Sequence, residues 1–458
     1  MKVYGDGAEG VRIAYIGGGS RGWAWTLMND LARAQDLSGK VALYDIDYDA
    51  AKKNEVIGNR VCGERWKYEA CERLGDALEG ADFVVISILP GTFDEMESDV
   101  HAPEAYGIFQ SVGDTTGPGG FFRAMRTVPM MREIASAIRD VCPDAWVINY
   151  TNPMAVCVQT LYREFPGIRA FGCCHEVFGT QKLLGIALSD VRGVEGATRS
   201  DIRVNVVGVN HFTWFTEAKY RNLDLFPVFK EFADKYYETG YEEGKFGNWP
   251  TDPFRSAVRV RFDLFRRFGY IAAAGDRHLA EFMDAGDYLA SPERVRFWKF
   301  GLTPVSWRRG DLERRLAKSQ RLYEGTEEFR LKDSGEEGVS QMRALAGIGH
   351  MVTNVNLPNI GQIDNLPLGA VVETNALLRS GSARPVTSGS VPDSILYHVK
   401  RIADENTLAV EACFSESRAA AFEAFSKGHL ISGLTPGQKK GLFDRMFDGT
   451  AAYLTMYR

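Results

Sequence analysis

A short apolar run at residues 11–16 is followed at once by Gly17, Gly19 and Gly22 in the spacing G-x-G-x-x-G, and then by a helical pattern over 23–34. Strand, glycine turn and helix in that order leave few folds open. The first glycine permits a tight turn, the second lets backbone approach a pyrophosphate, and the third lets the helix pack closely. The helix N-terminus then turns its free N–H groups toward the anion. A second apolar run, 41–44, ends in Asp45, where an acidic side chain would hold an adenosine ribose and repel the 2′-phosphate of NADP. Gly17, Gly19, Ser20, Gly22 and Asp45 are therefore the expected NAD site. Asp47 could equally serve as a helix cap, and Asp45 is preferred because it directly follows the strand.

Further apolar runs at 82–89 and 145–149, with a helical stretch at 126–141 between them, continue an alternation of strands and helices that predicts a parallel sheet. Open sheets of this kind bind ligands at the carboxyl ends of their strands. After residue 185 the texture becomes α+β: a strand over 201–209, helical patterns at 257–268, 280–283 and 396–428, and a charged helical stretch at 308–332. The expectation is an α/β fold, with a Rossmann-type NAD-binding domain over 1–185 and a C-terminal α+β domain over 186–458 for substrate and oligomer contacts.

Composition narrows the function classes. With 54 Lys+Arg against 60 Asp+Glu the net charge is −6, which gives no positive field for nucleic acid. The seven cysteines, at 62, 71, 142, 157, 173, 174 and 413, are an odd number in a chain of 458 residues, unlike a small secreted disulfide framework. Residues 1–10 lack the apolar stretch of a signal peptide, and no apolar run reaches the roughly 18 residues of a membrane helix. A cytoplasmic protein with reduced thiols and no membrane partner is expected.

Cys174 and His211 each follow a short strand pattern, and ligands from two strand ends could bracket a divalent ion while leaving positions open for substrate oxygens. The spacing alone leaves inert burial open, since free cysteines are commonly buried and lone histidines often satisfy core hydrogen bonds.

A wider set of motifs stands in one order along the chain: Gly17 to Ser20, Asp114 to Gly120, Arg126 to Pro129, Asn152-Pro153, Cys174-His175 and Asn210-His211-Phe212. Val355 to Asn359, Asn365 to Pro367 and Val371 to Glu373 extend it into the C-terminal half. This set resembles the family 4 glycoside hydrolases. The resemblance implies a lactate/malate-dehydrogenase-like fold, bound NAD⁺, a divalent metal (usually Mn²⁺), a homo-oligomer, and a redox-neutral cleavage: oxidation at sugar carbon 3, elimination of the aglycone, hydration and re-reduction. NAD-dependent glycosidases of this kind are a known exception to the two-carboxylate mechanism.

By the same resemblance, Cys174 and His211 would hold the metal and His175 would protonate the leaving group. Asn152 would bind sugar hydroxyls, Asp114 would tune or orient the base, and Asp276 would be that base, with Tyr270 as the fallback. Cys174-His175-Glu176-Val177 resembles the α-galacturonidase variant of the motif. A uronate carboxylate calls for a guanidinium or a hydrogen-bonding histidine, so Arg277 and His278, with Arg123 behind them, are the substrate candidates. Other family 4 specificities, for α-glucuronides, α-galactosides or 6-phosphoglycosides, remain alternatives. So do an NAD-dependent hydroxy-acid dehydrogenase and a non-catalytic NAD sensor.

Overall fold

The computed structural model describes residues 1–458, apart from the side chain of Lys245. Its strands are β1 Lys2–Tyr4, β2 Gly7–Ile16, β3 Leu37–Tyr44, β4 Trp66–Cys71, β5 Phe83–Ile86, β6 Trp146–Asn149, β7 Arg169–Gly172, β8 Ile202–Val209, β9 Phe212–Tyr220, β10 Leu223–Asp224, β11 Ile271–Ala272, β12 His350–Pro358, β13 Val371–Arg379 and β14 Ser382–Pro385. Six of them run parallel in the order β4-β3-β2-β5-β6-β7. This is the doubly wound order of dinucleotide-binding sheets, and the reversal of direction between β2 and β5 opens a crevice at their carboxyl ends. The α/β, Rossmann-type expectation holds.

Burial on both faces explains why these strands read as continuous apolar runs rather than alternating ones. Ile13 and Tyr15 of β2 face one core with Phe83 and Val85 of β5. Their neighbours Ala14, Ile16, Val84 and Ile86 face another, against Met131, Ile134 and Ile138 of the helix Gly117–Val141.

The sheet does not stop at β7. Asn356 of β12 pairs antiparallel with Gly172, and β13 and β14 follow outward, so residues on both sides of position 185 build one sheet. A smaller antiparallel sheet of β8–β11 stands beside it, again buried on both faces: Val207, Val209 and Trp214 look one way, Val206 and Phe215 the other.

Among the described residues no helix is long and apolar enough to cross a membrane. All seven cysteines are buried and unpaired.

Several element boundaries differ from the sequence expectation. The helix expected over 126–141 begins at Gly117, and Pro129 sits inside it. The pattern over 396–428 is two helices, Asp393–Phe414 and Arg418–Ser426, parted where Glu416 takes a positive φ of 54°. The charged stretch forms Val305–Glu324.

Candidate active site

The glycine turn is pinned to the end of β3, where the N–H groups of Gly17 and Gly18 donate to the Tyr44 carbonyl at 2.9 and 2.8 Å. Gly17 has φ +95°, and a Cβ there would lie 2.0 Å from the Ser87 carbonyl oxygen, so no other residue fits. Ser20 closes the turn by donating its N–H to the Gly17 carbonyl at 3.0 Å. Gly22 caps the helix Trp23–Arg33 with no side chain on its first N–H groups, leaving them for an anion.

The two nearby aspartates have separate roles. Asp47 caps the helix Tyr48–Cys62 by accepting from Ala50 N at 3.1 Å, whereas Asp45 accepts from Gly19 N at 2.8 Å and from Asp47 N at 2.9 Å. The carboxylate of Asp45 therefore lies against the turn.

Adjoining this turn is a cavity of about 460 Å³, lined by Asp114, Asn152, Cys174, His175, His211, Asp276, Arg277 and His278 among others. Trp23, the first residue after the glycine turn, is also in its wall, and its ring stacks on Tyr150 (4.9 Å) and His175 (5.8 Å). Eight of the residues expected from sequence are thus gathered in one space. Arg123 stands behind it, donating from Nε to the Asn152 carbonyl at 3.1 Å. Tyr270 is not in the wall; its ring meets Phe226 edge-on at 6.3 Å, packed against the core that holds Val207 and Trp214.

His211 lies in the turn between β8 and β9 with φ 63°, a conformation a non-glycine residue adopts only when its surroundings impose it. Its Nδ1 lies 3.0 Å from the Thr115 hydroxyl, which itself donates to Asp114 Oδ1 at 2.7 Å. Because that hydroxyl has one proton and gives it to Asp114, Nδ1 must carry the hydrogen, and Nε2 is left with a lone pair. Burial and the adjacent His278, with ring centroids 4.0 Å apart, pull the His211 pKa down to about 3, so the ring is neutral.

The donor atoms of Asp114, His211 and His278 lie within 4.8 Å of one another. Cys174 lines the same cavity without joining that group. Burial, reinforced by Glu373 and Glu176, pushes its thiol well above the ordinary range.

Glu373 ties the two expected ligands together. From β13 it accepts from Asn210 Nδ2 at 3.0 Å, one residue before His211, and from Asn354 Nδ2 at 2.6 Å. Asn354 also donates to the Cys174 carbonyl at 3.1 Å. The C-terminal strands therefore hold the Cys174 and His211 backbones in register.

Among the described residues, three buried polar atoms of the cavity have no hydrogen-bond partner: Asn152 Oδ1, His278 Nδ1 and Arg277 Nε. Buried orphans are rare, and a cluster of them marks where a ligand belongs.

Charge around the cavity is sorted by its neighbours. Burial works against the Asp114 carboxylate, but Arg123, His278 and His211 hold its pKa well below the usual range. His175 is half-exposed; burial lowers its pKa, but Glu336, 3.0 Å from Nδ1, and Glu176 outweigh this and raise it. Asp276 is buried, which raises its pKa, and its oxygens accept from Val260 N at 3.2 Å and from Arg261 Nε at 3.2 Å.

Sequence reasoning missed Thr115, Glu176, Glu336, Phe254 and Arg308. Thr115 and Glu176 lay inside quoted motifs without a role. Glu336, Phe254 and Arg308 reach the site only through tertiary packing, and no spacing rule points to them.

A family model described as "Family 4 glycosyl hydrolase" matches residues 12–189, and its C-terminal domain matches 206–431. An alpha-galacturonidase of Thermoanaerobacterium saccharolyticum is 57% identical over 457 residues, covering 98% of each chain. The crystal structure of lplD from Bacillus subtilis is 51% identical with a TM-score of 0.93, over 96% of this chain and 100% of that one. The 6-phospho-beta glucosidase of Thermotoga maritima, solved with manganese, NAD⁺ and glucose-6-phosphate, is 21% identical with a TM-score of 0.76, over 97% and 99% of the two chains, a likeness of fold.

Proposed function

The chain belongs to family 4 of the glycosyl hydrolases, and from that premise we propose that it hydrolyses α-galacturonides with NAD⁺ and a divalent metal, Mn²⁺ by preference. The observation that carries the substrate is the end-to-end similarity to the Thermoanaerobacterium alpha-galacturonidase. The residues present fit both cofactors. The unsubstituted turn and the Asp45 carboxylate suit NAD⁺, while the neutral His211 with its free Nε2, facing one cavity with Cys174, suits a divalent ion.

Cys174 and His211 would hold the metal, with Asp114 and His278 beside them. Held there, NAD⁺ would supply a reversible hydride acceptor for the sugar and the metal a Lewis acid for its oxygens. Asn152 accepts a hydrogen bond from a sugar hydroxyl through its orphaned Oδ1. Asp276, made more basic by burial and oriented by Arg261, takes the proton from carbon 2. Glu336 and Glu176 outweigh burial and favour the protonated form of His175, which delivers its proton to the departing oxygen.

The test is a panel of 4-nitrophenyl α-galacturonide, α-glucuronide, α-galactoside and 6-phosphoglucosides, each assayed with NAD⁺ plus Mn²⁺ and with either omitted. Turnover of the galacturonide alone, lost on chelation and lost without NAD⁺, is expected. Preferred turnover of a phosphorylated sugar would refute the substrate assignment, and steady accumulation of NADH would make the protein a dehydrogenase.

A further inference from the structure

The cavity has a cationic wall that the chemistry at carbons 1 to 3 leaves unused. Of the five arginines on the helix Val305–Glu324, four reach carboxylates: Arg309 to Asp94 (2.7 Å), Arg314 and Arg315 to Asp311 (3.2 and 2.6 Å) and Arg321 to Glu327 (2.8 Å). Arg308 faces the cavity instead, and among the described residues it forms no ion pair.

Across from it stands Arg277, more than nine-tenths buried. It is tethered by Nη2 to the carbonyl of Ser111 at 2.6 Å and to the Thr303 hydroxyl, with Nε unpartnered. Arg277 likewise has no ion pair among the described residues. Both guanidinium carbons approach one ring, that of Phe254: Arg277 at 4.9 Å and Arg308 at 5.4 Å from its centroid. Phe254 is 45% exposed and lines the same cavity.

Two like charges flanking one aromatic ring, one of them buried, repel each other. Burial and Arg308 together pull the Arg277 pKa down to about 10. The carboxylates of Glu281, Asp114 and Glu176 offset part of that cost, but among the described residues none pairs with either guanidinium, which is the pattern of a site completed by an anion from outside.

We propose that Arg308 and Arg277 together bind the carboxylate on carbon 5 of the galacturonosyl ring, with Phe254 as the apolar surface between them. The inference rests on the galacturonide reading and adds the residues that select it. Arg277, fixed by Ser111 and Thr303, presents a pre-oriented edge, and Arg308 closes on the second oxygen from a helix. Because a sugar phosphate would offer the same cations an anion, the experiment must separate carboxylate from phosphate.

The assay compares wild type with Arg308→Gln, Arg277→Gln and Arg277→Lys, using 4-nitrophenyl α-galacturonide and α-galactoside with NAD⁺ and Mn²⁺. Thermal-shift titrations of galacturonate, galactose and galactose 6-phosphate accompany it. Arg308→Gln should raise KM for the galacturonide at least tenfold while kcat falls less than threefold, and the uronide-over-galactoside preference should drop at least tenfold. Galacturonate should stabilise wild type more than either other sugar, and that difference should vanish in Arg308→Gln.

Equal losses on both glycosides, or an unchanged KM, would overturn the inference, as would stronger stabilisation by the phosphate. Arg277→Lys, which keeps the charge but loses the fork, should fall between wild type and Arg277→Gln; equal behaviour of Lys and Gln would point to a structural role for Arg277 and overturn its half of the clamp. Failure of the underlying reading looks different: wild type itself would not cleave the galacturonide.

Discussion

Thr115 carries one hydroxyl proton, and where that proton goes decides which His211 nitrogen is available. Donation to Asp114 fixes the tautomer, an outer-layer constraint of the sort that usually matters to metal affinity about as much as a ligand does. Thr115→Val should therefore weaken Mn²⁺ binding by roughly 10- to 100-fold, followed by titration with the paramagnetic signal of the free ion, and Thr115→Ser should restore it. If Val binds as tightly as wild type, the relay does not set the ring.

A second residue, Glu281, accepts from the N–H groups of Val112 and Gly113 at 2.6 and 2.9 Å, just ahead of Asp114, yet its Oε2 is buried without a partner. Burial pushes its pKa up to about 7. Its folded form thus keeps a proton that the unfolded chain loses from about pH 4.5 upward. The stability it contributes is complete below that value and falls away as pH climbs to about 7, by roughly 3 kcal/mol over the interval. Glu281→Gln, which has no proton to lose, should flatten the dependence of the urea midpoint between pH 4.5 and 8. An unaltered slope would show that Glu281 is not its source.

Of the site residues, those in strand-end motifs were legible because backbone geometry fixes them. Those that arrive from a distant helix, Arg308 above all, carry no local mark.

At the scale of elements, the helix Gly117–Val141 tolerates Pro129 because the damage is repaired. Proline offers no N–H to the carbonyl four residues back, which is that of Met125. The hydroxyl of Tyr457, almost at the chain's end, donates to that oxygen at 2.9 Å. Tyr457→Phe removes the donor and leaves a buried carbonyl unmet, so a loss of about 1–3 kcal/mol is expected, read as a lowered thermal midpoint. No change in midpoint would mean that Met125 finds water instead.

The N-terminal strands were legible as apolar runs because both faces are buried. The early start of this helix was not, since Gly117, Pro118, Gly119 and Gly120 are the two residue types of lowest helix propensity and become helical only through tertiary packing.

For the whole molecule, the alternation of strand and helix up to β7 disclosed a doubly wound sheet. The return of β12–β14 to that sheet was not disclosed. Antiparallel strands added at an edge need no crossover helix, so no alternation of strand and helix announces them in the sequence.

That return has a consequence for how the protein comes into being. One core unites Ile13 with Leu378, and Phe171 with Val355, so it cannot close until residue 378 has been made. A ribosome releasing residues one by one at its exit would hold a half-covered apolar face in the open through most of synthesis. Contacts this distant in sequence form slowly, so this core completes late in the folding of the chain.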